Sequence, residues 1–317
     1  MATISTIIPT IGRVESLRAL LESILRQTRR PDEILVADGS DDGAIAALIA
    51  EPEWIAEGLK ITHLKVSPPN AVRQREAAIA RANGDYLFLL DDDVVLDPDC
   101  LANMADLLDA KPELSAVTAD FSNHTWSNPT KLWRCYLWLF HGVGKGEWQG
   151  RVIGPLLRYG YNPSPTEPMP MQWLGAGNSL IRRSAYDAVD GFSDFFLHRC
   201  TMNEDVDLGL KLSRQGPILL HPGARLAHHH APGGRVSIQD AAEDDIYNRY
   251  MVLRRTCQLP RFNAWQLAAT YTLLEIISNL LGGIRRWRFD GFVTRSIGRL
   301  KGLARAFRQT DSTHSIS

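Results

Sequence analysis

Over the first 120 residues, short β-branched runs alternate with segments of helical period. "TISTIIP" has the make-up of a strand, and "RVESLRALLESILRQ" then sets Val14, Leu17, Leu20, Leu21, Ile24 and Leu25 on one helical face. "EILVAD" predicts a second strand and "AIAALIAE" a short helix. "LKITHLKV" predicts a third strand, and "AVRQREAAIARA" a helix stopped by "NG". "DYLFLLD" is a fourth strand, "PDCLANMADLLDA" a helix starting at Pro98, and "ELSAVTAD" a fifth strand. This alternation predicts an α/β fold with a Rossmann-like, mostly parallel, doubly wound sheet. Ligands bind such sheets beyond the carboxyl ends of the strands. Pro9, Thr10, Asp38 and the run Asp91–Asp93 all fall at such ends.

Near residue 126 the pattern changes. "WSNPTKLWRCYLWLFH" is rich in aromatics, and Gly and Pro dominate from Gly142 to Pro170. Two further helices and short strands follow up to His230, and 238–310 reads as almost entirely helical. The expected division is 1–125 and 126–240 as two halves of one domain, with 241–317 as a helical extension.

Composition adds limits. At 44% hydrophobic and 22% charged, the chain can build an ordinary core. A net charge of −1 supplies no global field for nucleic acid. The four cysteines are scattered, with neither CxxC spacing nor a disulfide framework, which fits a reducing compartment. "MATISTIIPT" lacks a basic stretch followed by an apolar one, so a cytoplasmic protein is expected.

The candidate chemistry begins with "FLLDDDVVLDPD", which holds five carboxylates in twelve residues. Like charges this close raise one another's pKa, so a cation is expected among them. On an extended strand Asp91 and Asp93 share a face while Asp92 points away. Hard oxygen ligands select Mg²⁺ or Mn²⁺, which bind one or two carboxylates together with substrate phosphates. Asp38 heads a turn, where it either caps locally or accepts from a base or ribose. Neither GxGxxG nor GxxxxGK[ST] occurs, which argues against a nicotinamide dehydrogenase and a P-loop enzyme.

"TIIPTIGR", "PDEILVADGSDD", "ARANGDYLFLLDDDVVLDPD", "WLGAGNSLIRRSAYDAVDGFSDFF" and "NEDVDLGLKLSRQG" resemble, in order, the signatures of family 2 glycosyltransferases. The resemblance covers roughly residues 3 to 255. It implies the glycosyltransferase A fold and inverting transfer from a nucleoside-diphosphate sugar. Two positions depart from the family pattern: Ala37, where a second Asp often precedes Asp38, and Glu76, where Asn is usual.

The resemblance implies that Pro9, Thr10 and Arg13 line the nucleotide pocket, with Asp92 in the same donor-binding group. Asp38 and Arg75 would contact the base, Asp91 the ribose, and Asp93, with Asp91, the metal. His228 in "RLAHHHAPGG" matches the histidine that completes such a site, with His229 and His230 as alternatives. A zinc site is not indicated, because no ligands stand at zinc spacing. Glu204 and Asp205 open a helix, where acids are favourable in any case. Inversion in one displacement needs a general base, and the resemblance assigns Asp205 to it with Glu204 positioning. Trp173 could stack on a sugar ring. Gly175 and Gly177 could let backbone approach the donor, or mark a bend.

Leu132, Trp133, Tyr136, Leu137 and Phe140 form a helical stripe that reads as core or as acceptor contact. From Ala264 to Ile284 the chain is largely apolar but carries Gln266, Glu275, Ser278 and Asn279, which argue against a clean membrane span. Arg285, Arg286 and Arg288 follow, interleaved with Trp287 and Phe289; from 285 to 310 there are eight basic residues against one acid. Either peripheral contact with an anionic leaflet or a helical pair packed on the catalytic domain fits this pattern.

The reading is thus a metal-dependent hexosyl- or deoxyhexosyltransferase of cell-surface polysaccharide assembly, with a glycan or lipid-linked acceptor. Of the alternatives, a sugar-nucleotide pyrophosphorylase needs a glycine-rich basic loop that "IPTIGRVES" does not supply. A non-catalytic glycan-binding relic is opposed by the presence of Asp91, Asp93, Glu204 and Asp205.

Overall fold

The computed structural model describes residues 1–197, 200–231, 236–287 and 289–309, without the Arg286 side chain. Arg288, that side chain and the Gly233-Gly234 pair after the histidines therefore lie outside the described residues. The strands are β1 (Ile4–Thr10), β2 (Glu33–Asp38), β3 (Ile61–Lys65), β4 (Tyr86–Leu90), β5 (Val94–Leu96) and β6 (Ala116–Phe121), then β7 (Val152–Ile153), β8 (Leu157–Arg158), β9 (Met169–Met171), β10 (Asn178–Arg182) and β11 (Ile218–His228). The helices are α1 (Val14–Leu25), α2 (Ala44–Ile49), α3 (Pro52–Ala56), α4 (Ala71–Ile79), α5 (Cys100–Ala110) and α6 (Lys131–His141), then α7 (Arg183–Asp187), α8 (Glu204–Leu212), α9 (Ile238–Met251), α10 (Arg261–Arg286) and α11 (Phe292–Arg308). A π-helical turn, Val252–Thr256, continues α9.

Nine of these strands form one sheet in the order β3-β2-β1-β4-β10-β6-β11-β5, with β9 beside β11. The first four strands run parallel, as does β6 with β11; β10, β5 and β9 run against their neighbours. All seven residues of β1 are buried, because helices cover both faces of a central parallel strand and no polar face is needed. The mostly parallel α/β sheet read from the sequence is present.

Two elements were not foreseen in the sequence. β5 hides in "DDDVVLD", where a turn at the aspartates separates it from β4. The short α3 follows α2 directly, with Pro52 at its first position. The helix expected from Pro98 begins at Cys100.

The C-terminal helices share the main core. The apolar cluster containing Ile7 and Leu87 also contains Tyr250, Ala264 and Ala306. α11 lies close against α9 because its facing residues are Gly298 and Gly302. A Cβ at Gly302 would fall on the carbonyl oxygen of Glu243, and one at Gly298 on that of Gln239. Gly302→Val is therefore expected to cost about 1–3 kcal/mol by forcing these helices apart. A lowered urea midpoint at unchanged m-value checks this.

Candidate active site

β1, β2 and β4 end close together, at Thr10, Asp38 and Leu90, with Thr10 in register with Asp38. A groove of about 990 Å³ opens there. Because β4 stops at Leu90, Asp91–Asp93 lie in a turn, so the alternation expected of an extended strand does not orient them. The turn still brings Asp91 and Asp93 together with His228: their ligand atoms lie within 4.8 Å of one another.

β11 supplies the third member of this group. It pairs antiparallel with β5, His228 opposite Val94, which sets the imidazole against the residue preceding Val94. His228 Nε2 stands 3.0 Å from Asp93 Oδ1, and the other Asp93 oxygen accepts from the Ala231 N–H at 2.8 Å. Burial alone would raise the Asp93 pKa, but the His228 hydrogen bond and charge outweigh it and hold the carboxyl below its usual value. Burial would likewise lower His228, and Asp93 reverses the sign. His229 reaches the same residue through its backbone N–H, 2.9 Å from the Asp93 carbonyl. The His230 ring packs on His228 with centroids 4.0 Å apart.

Asp92 has a different task. It accepts from the Thr10 hydroxyl at 2.7 Å and from Arg13 Nη1 at 2.9 Å, fixing both side chains at the groove. Burial pushes its carboxyl up, against the pull of Thr10 and Arg13. Arg75 is buried and donates to Asp91 at 2.6 Å through Nη2. Its Nη1 lies 3.6 Å from Glu204.

Asp38 is also buried, with both oxygens engaged: Oδ1 by the N–H (2.7 Å) and hydroxyl of Ser40, Oδ2 by His63 Nε2 at 3.1 Å. Burial opposes ionisation here, but these partners hold its pKa below the usual value. Gln74, which sequence reasoning passed over, ties the ends of β1 and β2 by donating to the carbonyls of Thr10 (2.8 Å) and Ala37 (2.7 Å). Glu76, the departure from the family pattern, accepts from the Tyr186 hydroxyl at 2.6 Å and the Phe192 N–H at 2.9 Å.

A smaller cavity of about 170 Å³ adjoins the groove. The two share Arg75, Asp91, Glu204 and His228 as lining residues. Trp173 lines the smaller one, edge-on to Trp126 and with the Arg158 guanidinium 5.6 Å from its ring centre. Gly177 has to be small, since a Cβ there would fall on the Asp91 carboxylate; at Gly175 it would fall on the Asn178 side chain.

Glu204 and Asp205 form the first turn of α8. Asn203 precedes them at φ +73°, and its amide donates to Asp245 Oδ1 of α9 at 2.8 Å. Asp205 Oδ2 is 3.3 Å from Arg158 Nη2. Glu204 is pushed up to about 8, first by burial and then by the charge of Asp205. Arg158 was not anticipated, because it lies in the Gly- and Pro-rich stretch where no period marks an element. The far wall of the groove comes from the C-terminal helices, through Ile238, Asp245, Arg295 and Arg299.

Residues 5–189 match the family model described as glycosyl transferase family 2. The O-antigen biosynthesis protein RfbC of Myxococcus xanthus is 26% identical over 293 residues, 81% of this chain and 21% of that protein. The chain thus spans about a fifth of that relative's length. The N-acetylglucosaminyl-diphospho-decaprenol L-rhamnosyltransferase of Mycobacterium tuberculosis is 26% identical over 231 residues, covering 68% of this chain and 72% of that protein. Among solved structures, the mannosyltransferase PcManGT of Pyrobaculum calidifontis, in complex with GDP-Man and Mn²⁺, superposes with a TM-score of 0.56 at 14% identity, covering 96% of this chain and 86% of that one. At such identity the likeness is one of fold, the glycosyltransferase A architecture. With more than half of its length matched by the family model, the chain belongs to glycosyl transferase family 2.

Proposed function

We propose that the protein transfers a sugar, with inversion, from a nucleoside-diphosphate sugar to a glycan or lipid-linked acceptor in cell-surface polysaccharide assembly. It would act at the cytoplasmic face of a membrane. The observation that carries this reading is the wall shared by two adjoining cavities, where Asp91 and His228 meet Arg75 and Glu204. The larger groove suits the donor and the smaller cavity the sugar and the attacking hydroxyl.

Asp91, Asp93 and His228 suit a hard divalent cation: two carboxylate oxygens and one imidazole nitrogen are close enough to converge on it. Mg²⁺ or Mn²⁺ there would neutralise charge developing on the departing diphosphate. Thr10 and Arg13, fixed by Asp92, line the donor side with Pro9. Asp38 is buried and already accepts from Ser40 and His63, so a base would share its oxygens with these donors. Trp173 and the turn at Gly175 and Gly177 border the transferred sugar.

Asp205 is the general base that takes the acceptor hydroxyl proton, and Arg158 holds its carboxylate in place. Glu204, still largely protonated near neutrality, can donate a hydrogen bond beside it.

Asp205→Asn is expected to lower turnover by about 100-fold or more, while the rise in Tm produced by nucleotide sugar with Mn²⁺ persists. Undiminished turnover would remove Asp205 from the role. Chelation should abolish transfer, and Mn²⁺ or Mg²⁺ should restore it; activity that survives chelation would exclude the cation from the reaction. For Glu204, the folded carboxyl sits at about 8 against an ordinary 4.5, so between these values the folded state keeps a proton that the unfolded state has released. Its stabilising contribution is complete below pH 4.5 and is lost as pH rises to about 8. Glu204→Gln is expected to flatten that slope in a Tm–pH profile and to exceed the parent protein in Tm at the alkaline end.

A further inference from the structure

Of the twenty large apolar side chains exposed among the described residues, fourteen stand on α6, α10, α11 and the connection between the last two. α6 ends in Trp138, Leu139 and Phe140, each more than three-fifths exposed. On α11, Val293, Ile297, Leu300 and Phe307 recur at helical spacing and form one outward stripe. Leu273, Leu280 and Ile284 do the same on α10, and Trp287 beyond its end is 90% exposed. The three helices are neighbours. Trp133 of α6 donates to Glu275 of α10 at 3.2 Å, and Arg299 of α11 donates to the same carboxylate at 2.9 Å.

Exposed charge on these elements is cationic, including Arg134, Arg285, Lys301 and Arg308. Asp290 is the one exposed acid on them among the described residues. A second copy of this chain would oppose like charge to like, whereas an anionic bilayer is complementary to both the charge and the apolar stripes.

We infer that the tip of α6 and the outer faces of α10 and α11 form a single surface that lies on an anionic lipid bilayer. α10 is long and apolar enough to cross a membrane. Its inner face is nonetheless committed to the protein: Ala264 and Ala268 lie in the shared core, and the Tyr271 ring lies 3.8 Å under the Arg249 guanidinium. Crossing would strip Glu275 of Arg299 and Trp133 and leave its charge in hydrocarbon. The helix therefore lies on the bilayer.

The same elements reach the active site. α11 brings Arg295 and Arg299 to the groove, and the segment around α6 brings Trp126 and Arg158 to the smaller cavity. Such a surface would meet an acceptor whose lipid stays in the bilayer, and in that respect the inference rests on the lipid-linked reading above.

The test is flotation of the full chain with phosphatidylcholine vesicles, with and without phosphatidylglycerol. The protein is expected to float with the anionic vesicles alone and to be released by raised salt. Trp138→Ser with Phe140→Ser, and separately Lys301→Glu with Arg308→Glu, should each reduce partitioning by about tenfold, with Tm unchanged. Absence of flotation, or variants that float like the parent, would overturn the inference. So would resistance to alkaline carbonate, which marks a spanning helix, or a lipid-free dimer that these variants dissociate. Flotation needs neither donor nor acceptor, so its failure is separable from a failure of sugar transfer.

Discussion

Arg75 is the side chain on which the site depends. It is buried where four carboxylates crowd the rim of the sheet, touching Asp91 at 2.6 Å and approaching Glu204 at 3.6 Å. A guanidinium offers donors along two edges, so one residue can satisfy Asp91 and face Glu204. Its buried Nη1 and Nε atoms have no hydrogen-bond partner within the protein, and Arg75 lines both cavities. Without this cation Asp91 would lose its buried partner and Glu204 the positive charge that faces it.

The second constraint comes from the C-terminal helices. Asn203 holds the start of α8 by its bond to Asp245, and Asp245 pairs with Arg249 at 3.0 Å within α9. Arg249 in turn donates to the Leu156 carbonyl at 3.0 Å and covers the Tyr271 ring. A buried ion pair of this kind is costly to desolvate, so its contribution is to geometry rather than to net stability. Here that geometry sets where Glu204 and Asp205 begin. The helical extension is thus a wall of the groove and a brace for the proposed base, as well as a surface facing outward.

Much of this was legible in the chain. Five of the six strands in the alternating half follow from period alone, since buried parallel strands and amphipathic helices leave clear runs. The carboxylate groups at strand ends were visible because no core or cap requires three aspartates in succession. Arg158, Gln74 and His63 were not visible, since each acts through a partner distant in sequence. Arg158 meets Asp205, and His63 meets Asp38, only after the sheet is assembled.

By itself the sequence determined most of the elements, the rim of the sheet as the place for chemistry, and the acids that would gather there, because local period and charge density are written residue by residue. Tertiary structure alone decided which histidine joins the aspartates, through the β5–β11 register that sets His228 opposite Val94. It also decided that Asp38 meets His63 and that Asp92 locks Thr10 and Arg13. The physical reason is that hydrogen-bond partners and burial are properties of contacts between distant segments, which no local pattern encodes.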